Sequence, residues 1–445
     1  MPLFHETTFM KHIFSNFARF GLFGVLVLAC LCFPPKAGAE SRSLSRDGAI
    51  QSAFSNNREI SIAALEIKRA LSKLKWSGRL DNPELEIEAT SDEPGNDEDE
   101  GSFTVGFTQN FPLTAKLKHE RNLRHYQVIL AEAEIAERRR ELSGKVDAAI
   151  VELMTTRAKI EVSNQLIALN KKMVDFLKTQ VEQGVVSSLD VMQATLSGRT
   201  LEQQSKLLVA EAKQNRLALN KIIGLDPETD LVINSSFSLP GSKPGIDVAL
   251  QTVLQQRPDY VLSLAKIDET QAAITLEEAK RWEDVSLKLF VEQDDAVDEP
   301  EGFDGNTFAG VGISIPLPLR NRNQEGIEQA RINHEAASKS VDAARFEIRA
   351  ECEEAFHQRT DAWRLAREAS GEILGLAEKN LEEFRKAYQQ GQASLIQVQR
   401  AQEQVLELKT GSLELVAEYH RANAAVRLAT GSYPGLSVRS GKNPK

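Results

Sequence analysis

Gln109–Arg121 reads QNFPLTAKLKHER, and Ile313–Glu325 reads ISIPLPLRNRNQE. In each, an apolar run meets a Pro-Leu pair, and the chain then turns basic and helix-forming. Pro112 and Pro316 have no N–H to give to a strand ladder, so pairing is expected to stop there. Pro318 and the residues after Leu113 suit a first helical turn, where a missing N–H costs little. Both stretches therefore read as strand-to-helix junctions, written twice.

The sequence on the far side of each junction is long and free of proline. None occurs from Leu113 to Asp226, nor from Leu319 to Tyr433. Proline costs about 3 kcal/mol in a helix interior, so its absence marks long helices. Apolar residues keep helical spacing, as in Leu142, Val146, Ala149, Ile150 and Leu153. Each block is interrupted at a matching place: VEQGVVSSLDVMQA at 181–194 and YQQGQASLIQVQRA at 388–401. Gly184 and Gly391 suit the residue after a helix, where positive φ is cheap. Ser187 or Ser188, and Ser394, are candidate N-caps of the returning helices. Each block is thus predicted to be a helical hairpin. Its outgoing arm has roughly 70 residues, on the order of 105 Å, and its returning arm about half that.

The duplication extends upstream. DGAIQSAF from Asp47 matches DVALQTVL from Asp247 in the phase of its apolar residues. Each opens a short helix, and a second helix follows at roughly 59–77 and 259–281. The expected plan is a signal peptide over 1–39, a first repeat over 40–224, a linker over 225–245, a second repeat over 246–430 and a tail over 431–445. In the first repeat, strands are expected at about 83–91 and 102–111 and the hairpin at 113–223. In the second, strands are expected at about 284–292 and 306–315 and the hairpin at 319–430. A unit of about two hundred residues is far longer than the 20–50-residue periods of stacked solenoids.

The strand segments carry a period of two. Leu85, Ile87 and Ala89 alternate with Glu84, Glu86 and Glu88, and Phe103, Val105 and Phe107 with Ser102, Thr104 and Gly106. In the second repeat Val285, Leu287, Leu289 and Val291 alternate with Ser286 and Lys288; Phe290 breaks the rule. Val311, Ile313 and Ile315 alternate with Gly310, Gly312 and Ser314. This pattern fits a half-buried strand of a soluble sheet, and it fits a tilted membrane strand of 9–11 residues. Four strands cannot close a barrel, and an open edge is not tolerated in lipid. A membrane reading therefore demands several chains; three would supply about twelve strands.

The strand pairs are joined by acidic stretches, SDEPGNDEDEG at 91–101 and EQDDAVDEPEGFD at 292–304. They read as solvated hairpin loops or as an acidic mouth that concentrates cations. The EF-hand spacing is absent.

Export is written at the N-terminus. Lys11 and Arg19 precede an apolar run from Phe20 to Phe33, and Ala37-Gly38-Ala39 offers a cleavage site before Glu40. An uncleaved anchor and lipidation at Cys30 are the alternatives. Cys30 and Cys32 would leave with the signal, so Cys352 would stand alone and form no intrachain disulfide. No later segment has the length for a membrane helix. The 445 residues carry a net charge of −10, which argues against nucleic-acid binding. P-loop, G-x-G-x-x-G, H-E-x-x-H and G-x-S-x-G signatures are missing, and neither an enzyme activity nor a cofactor is expected. His119 and His125 fall on different sides of a helix and make a poor metal pair. Cys352 reads as a packing residue.

Two strands, an Asn110-Phe-Pro-Leu113 or Ile315-Pro-Leu317 junction, a long helix, a turn at Gly184 or Gly391 and a return helix, all repeated, resemble the TolC-type outer membrane efflux proteins. The resemblance spans roughly 44–430 and is nearest to the CzcC-like branch associated with RND metal-cation efflux. It implies an α+β membrane protein and a homotrimer. A β-barrel with four strands per chain would lie in outer membrane lipid, continued by a long periplasmic α-helical barrel. It implies passive export of substrate, divalent metal cations foremost, from an inner-membrane RND transporter through a periplasmic adaptor that meets the hairpin tips. Type I protein secretion or drug efflux would use the same duct, and a soluble periplasmic coiled-coil scaffold is the alternative from another class. Tyr388 matches an aromatic of the family's closing contacts. Some members carry two aspartates just after the second turn; here those positions are Gln397 and Arg400, while Asp190 keeps the acid in the first repeat. Any cation preference then falls to Glu84, Glu86 and Glu88 or to the acidic stretches.

Overall fold

The computed structural model describes residues 41–91, 101–245, 248–298 and 302–436. The proposed signal peptide, the middle of the first acidic stretch and the last nine residues of the tail lie outside these. The first half runs β1 (Ser41–Ser45), α1 (Arg46–Asn56), α2 (Arg58–Trp76), β2 (Glu84–Ser91), β3 (Gly101–Phe111), α3 (Lys116–Glu182), α4 (Ser188–Ile223) and β4 (Asp230–Asn234). The second runs α5 (Leu250–Gln256), α6 (Pro258–Ala279), β5 (Val285–Asp298), β6 (Gly302–Ser314), α7 (Gln324–Ala369), α8 (Glu372–Gln389) and α9 (Leu395–Thr430).

α3 is continuous over 67 residues, which at 1.5 Å per residue spans ~100 Å. Its counterpart in the second half is divided. α7 ends at Ala369, Gly371 takes φ −97° and ψ −119°, and α8 resumes at Glu372. The reading of one interruption per block is therefore corrected for the second block, which has two. Ser370 sits at the break and shares a 2.9 Å hydrogen bond with Ser412 of α9.

Each short helix plugs the base of its own hairpin. Ala49, Ile50 and Ala53 of α1 are fully enclosed by Val146, Ile150 and Leu153 of α3 and by Leu219 and Ile223 of α4. Val253 and Leu254 of α5 pack on Ile348, Cys352 and Ala355 of α7 and on Val426 and Ala429 of α9. Polar ties repeat the scheme. Asn57, the N-cap of α2, donates to the Ile222 carbonyl at 2.8 Å. Arg257, preceding α6, donates to the Ala429 carbonyl at 2.8 Å. Gly224 and Gly431 end α4 and α9 at positive φ.

Arg257 and Asp147 carry buried charges in this region. Arg257 is 1% exposed and is held by Asp259 and by Glu351 at 2.6 Å. Burial alone would lower the Arg257 pKa, but the two carboxylates outweigh it and raise it. Asp147 is fully buried between Arg46 at 2.6 Å and Arg427 at 3.1 Å.

The stretch expected to be a plain linker contains β4, which pairs in parallel with β1, Ser41 opposite Asp230. The expected tail is not loose at its start, because Tyr433 and Leu436 are buried against α1 and α3. Among the described residues no helix is long and apolar enough to cross a membrane.

Candidate functional site

The four strands β2, β3, β5 and β6 form one antiparallel sheet in the order β2-β3-β5-β6. The registers align residues in rows across it. One face carries the rows Leu85–Phe107–Leu289–Val311 and Ile87–Val105–Val291–Ala309. These side chains cover nothing; Leu85 is 67% exposed and Val311 66%. Contiguous exposed apolar surface of this kind marks an interaction or membrane face. The other face carries Glu84–Thr108–Lys288–Gly312, then Glu86–Gly106–Phe290–Gly310, then Glu88–Thr104–Glu292–Phe308.

Phe290, the exception in the alternation, lies on this polar face. Its ring occupies the space beside Gly310, where a Cβ would come within 2.4 Å of it. Lys288 reaches over Gly106 of β3 to form an ion pair with Glu86 of β2. The hydroxyl of Thr108 donates to the same carboxylate at 3.3 Å. Glu84 and Glu88 stand exposed on either side. The strands run further into the second acidic stretch than expected, with β5 reaching Asp298 and β6 starting at Gly302. An antiparallel ladder needs backbone partners, not apolar side chains, so pairing continues past the apolar rows.

The junctions are pinned to the end of α6. β3 stops at Phe111, just before Pro112, and α3 starts at Lys116. Thr114 donates to the Ala279 carbonyl at 2.9 Å, and Lys116 pairs with Asp284 at 2.5 Å. β6 stops at Ser314, two residues before Pro316. Pro318 does not open a helix, correcting its expected place in a first turn. α7 starts at Gln324 behind Asn323, which adopts φ 55°. The Asn323 amide donates to the backbone and carboxylate of Glu277 at 2.9 and 2.8 Å. Burial raises the Glu277 carboxyl, yet Lys280 and Asn323 outweigh it and hold it below the usual range.

The hairpin ends share one architecture. Gly184 has φ 73° and Gly391 φ 74°. Gly184 N–H donates to Val181 at 3.0 Å and Val185 N–H to Gln180 at 2.9 Å; Gly391 and Gln392 repeat this towards Tyr388 and Ala387 at 3.0 and 2.8 Å. These are twin Schellman closures. Ser187, not Ser188, caps α4 by accepting from Leu189 N–H at 3.1 Å; Ser188 is the first helical residue. Ser394 caps α9 in a reciprocal box with Gln397, whose side chain accepts from Ser394 N–H at 2.8 Å. Gln397 is thus turned back on its own helix end, and Arg400 is exposed.

The two ends pack together. Met173, Leu177 and Ala194 of the first hairpin form one cluster with Leu381, Leu395 and Val398 of the second. Asp190 stands beside Tyr388 across this contact. The Tyr388 hydroxyl makes no hydrogen bond of ordinary geometry; burial first, and the Asp190 charge second, push its pKa up. Among the described residues no group of three or more His, Cys, Asp or Glu side chains is placed to hold a metal ion.

The Lys288–Glu86 pair and the passage of Lys288 over Gly106 are not legible in either strand alone. Lys288 was visible as a basic residue in a polar strand position, but its partner lies two strands away.

A strand sheet with an exposed apolar face, passing through proline junctions into two packed helical hairpins whose longest helix spans ~100 Å, is the plan of an efflux channel. The chain belongs to the outer membrane efflux protein family, whose model matches residues 49–225 and 249–432. It is an outer membrane protein with a large periplasmic part, which sets the soluble scaffold aside. The cobalt-zinc-cadmium resistance protein CzcC of Cupriavidus metallidurans is 21% identical over 299 residues, 67% of this chain and 68% of its own. The toluene efflux pump outer membrane protein TtgF of Pseudomonas putida is 24% identical over 360 residues, 76% of this chain and 72% of its own. Among solved structures, CusC superposes with a TM-score of 0.67 at 18% identity, covering 87% of this chain and 92% of CusC. The CmeC outer membrane channel of Campylobacter jejuni gives 0.65 at 15% identity, covering 88% and 89%. The fold is therefore the TolC-type α+β fold of the channels it superposes on.

Proposed function

We propose that the chain is the exit duct of a tripartite efflux system. It passively conducts substrate from an inner-membrane RND pump, through a periplasmic adaptor, to the exterior. The observation that carries this is the sheet, apolar on one face and open at both edges, β2 and β6. Unpaired edges are excluded from lipid, so three chains would pair edge to edge into a barrel of about twelve strands. The polar rows with Glu84, Glu86 and Glu88 then line the lumen. Pro112, Pro316 and Pro318 lie where the barrel hands over to the helices. The turns at Gly184 and Gly391 form the adaptor-facing tips, and the Tyr388–Asp190 contact belongs to the closed aperture.

Divalent metal cations are the cargo we favour, on the likeness to CzcC and on the acidic polar face. Organic solutes are the second reading, on the likeness to TtgF. A deletion strain exposed to cobalt, zinc and cadmium, and separately to toluene, separates the two. Metal sensitivity rescued by the gene supports the first. Unchanged metal tolerance with new toluene sensitivity overturns it in favour of the second.

A further inference from the structure

We propose that Lys288 sets the ion selectivity of the barrel lumen by neutralising Glu86 from across the intervening strand. This rests on the duct reading above. The three polar rows hold the carboxylates of Glu84, Glu86, Glu88 and Glu292, and Lys288 is the cation set among them. The strand between the partners is β3. Two strand spacings, about 9.6 Å, separate β5 from β2, a distance that the extended lysine and glutamate side chains bridge together. The stem of Lys288 crosses over the glycine of β3, where no side chain stands in its way. A Cβ on Gly106 would come within 2.9 Å of the Lys288 Cε.

The sequence places three compatible features at this one spot: a strand lysine, a glycine on the neighbouring strand and a glutamate beyond it. Thr108 adds a hydroxyl to the same carboxylate. Glu86 is therefore satisfied within the chain, whereas Glu84 and Glu88 present their charge to the lumen. A permeating ion meets a face whose middle carboxylate is cancelled. Low-dielectric walls focus the remaining field, so one ammonium per chain alters the local cation concentration.

The test is the permeability ratio of potassium to chloride, read as reversal potential across a planar bilayer under a KCl gradient. The probes are the full-length wild type and single-site variants. Lys288→Gln frees Glu86, and the ratio rises above wild type. Glu86→Gln frees the ammonium, and the ratio falls below it. The double variant returns to the wild-type ratio, as does the exchanged pair Lys288→Glu with Glu86→Lys; Lys288→Arg keeps it. Should Lys288→Gln not insert, Glu86→Gln reports the same pair with opposite sign. Conducting channels in which either Gln variant keeps the wild-type ratio overturn the proposal and leave the duct reading intact. Absence of conductance from a verified trimer whose tips are opened by substitution at Tyr388 and Asp190 overturns the duct reading itself.

Discussion

Gly224 and Gly391 share a backbone conformation but not a surrounding, and this separates two costs. Their φ values are 84° and 74°. An alanine in this left-handed region costs about 1–2 kcal/mol. At Gly391 a Cβ meets nothing within 4 Å, so the cost ends there. At Gly224 it comes within 2.3 Å of the Asn56 carbonyl oxygen and 2.6 Å of its carbon. That peptide cannot retreat: Asn57 N–H is bonded to Ala53 at 2.9 Å, and the Asn57 amide to Ile222 at 2.8 Å. Overpacking adds roughly 1–3 kcal/mol. Amide hydrogen exchange on the detergent-solubilised protein reads both. Gly391→Ala should speed exchange about 5–30-fold, confined to residues near 384–398. Gly224→Ala should exceed about 30-fold at residues 53–61 and 219–225 together. Equal effects of the two variants, or a Gly391→Ala effect spreading to the hairpin base, would show that the Asn56 contact does not set the cost at Gly224.

Arg257→Ala removes the buried guanidinium that bonds Asp259, Glu351 and the Ala429 carbonyl and should cost about 1–3 kcal/mol, seen as a lowered melting temperature that Arg257→Lys only partly restores. His420, stacked on Phe237 at 5.0 Å, is pushed down from 6.5 to about 4 by burial first and by Arg46 second. Its unfolded form therefore takes up the proton first, so stability is full above pH 6.5 and declines as pH falls to about 4. His420→Gln should flatten the melting profile across that window, and a slope identical to wild type would contradict the assignment. Ser187→Ala should loosen the start of α4 by about 1 kcal/mol in hydrogen exchange while Ser188→Ala changes little, since only Ser187 makes the capping bond.

Much of this architecture is legible because punctuation is local chemistry. Proline removes a donor wherever it stands, and glycine after a helix permits positive φ, so Pro112, Pro316, Gly184 and Gly391 announce themselves. The duplication is legible because both halves repeat the same punctuation. What escapes is either ambiguous locally or long-range. A mid-helix glycine is tolerated at modest cost, so the break at Gly371 reads like any other helical glycine. Adjacent serines are equivalent on paper, and only the helix start chooses Ser187. The β1–β4 pair joins Ser41 to Asp230 across two hairpin arms, and nothing in either strand names its partner. Lys288 and Glu86 meet because β3 and β5 pair across the two halves, a register no single segment encodes. Gln397 satisfies the helix-cap pattern and also falls where the proposed aperture would lie; the capping box takes its side chain.

In the proposed assembly, open four-stranded sheets from three chains close into one water-filled duct. Single-channel recording of the purified protein in a planar bilayer tests it most directly, alongside the mass of the inserted species. A trimer should give discrete, ohmic conductance steps and a monomer none. A verified trimer that inserts and stays electrically silent, with the periplasmic tips opened by substitution at Tyr388 and Asp190, would contradict it.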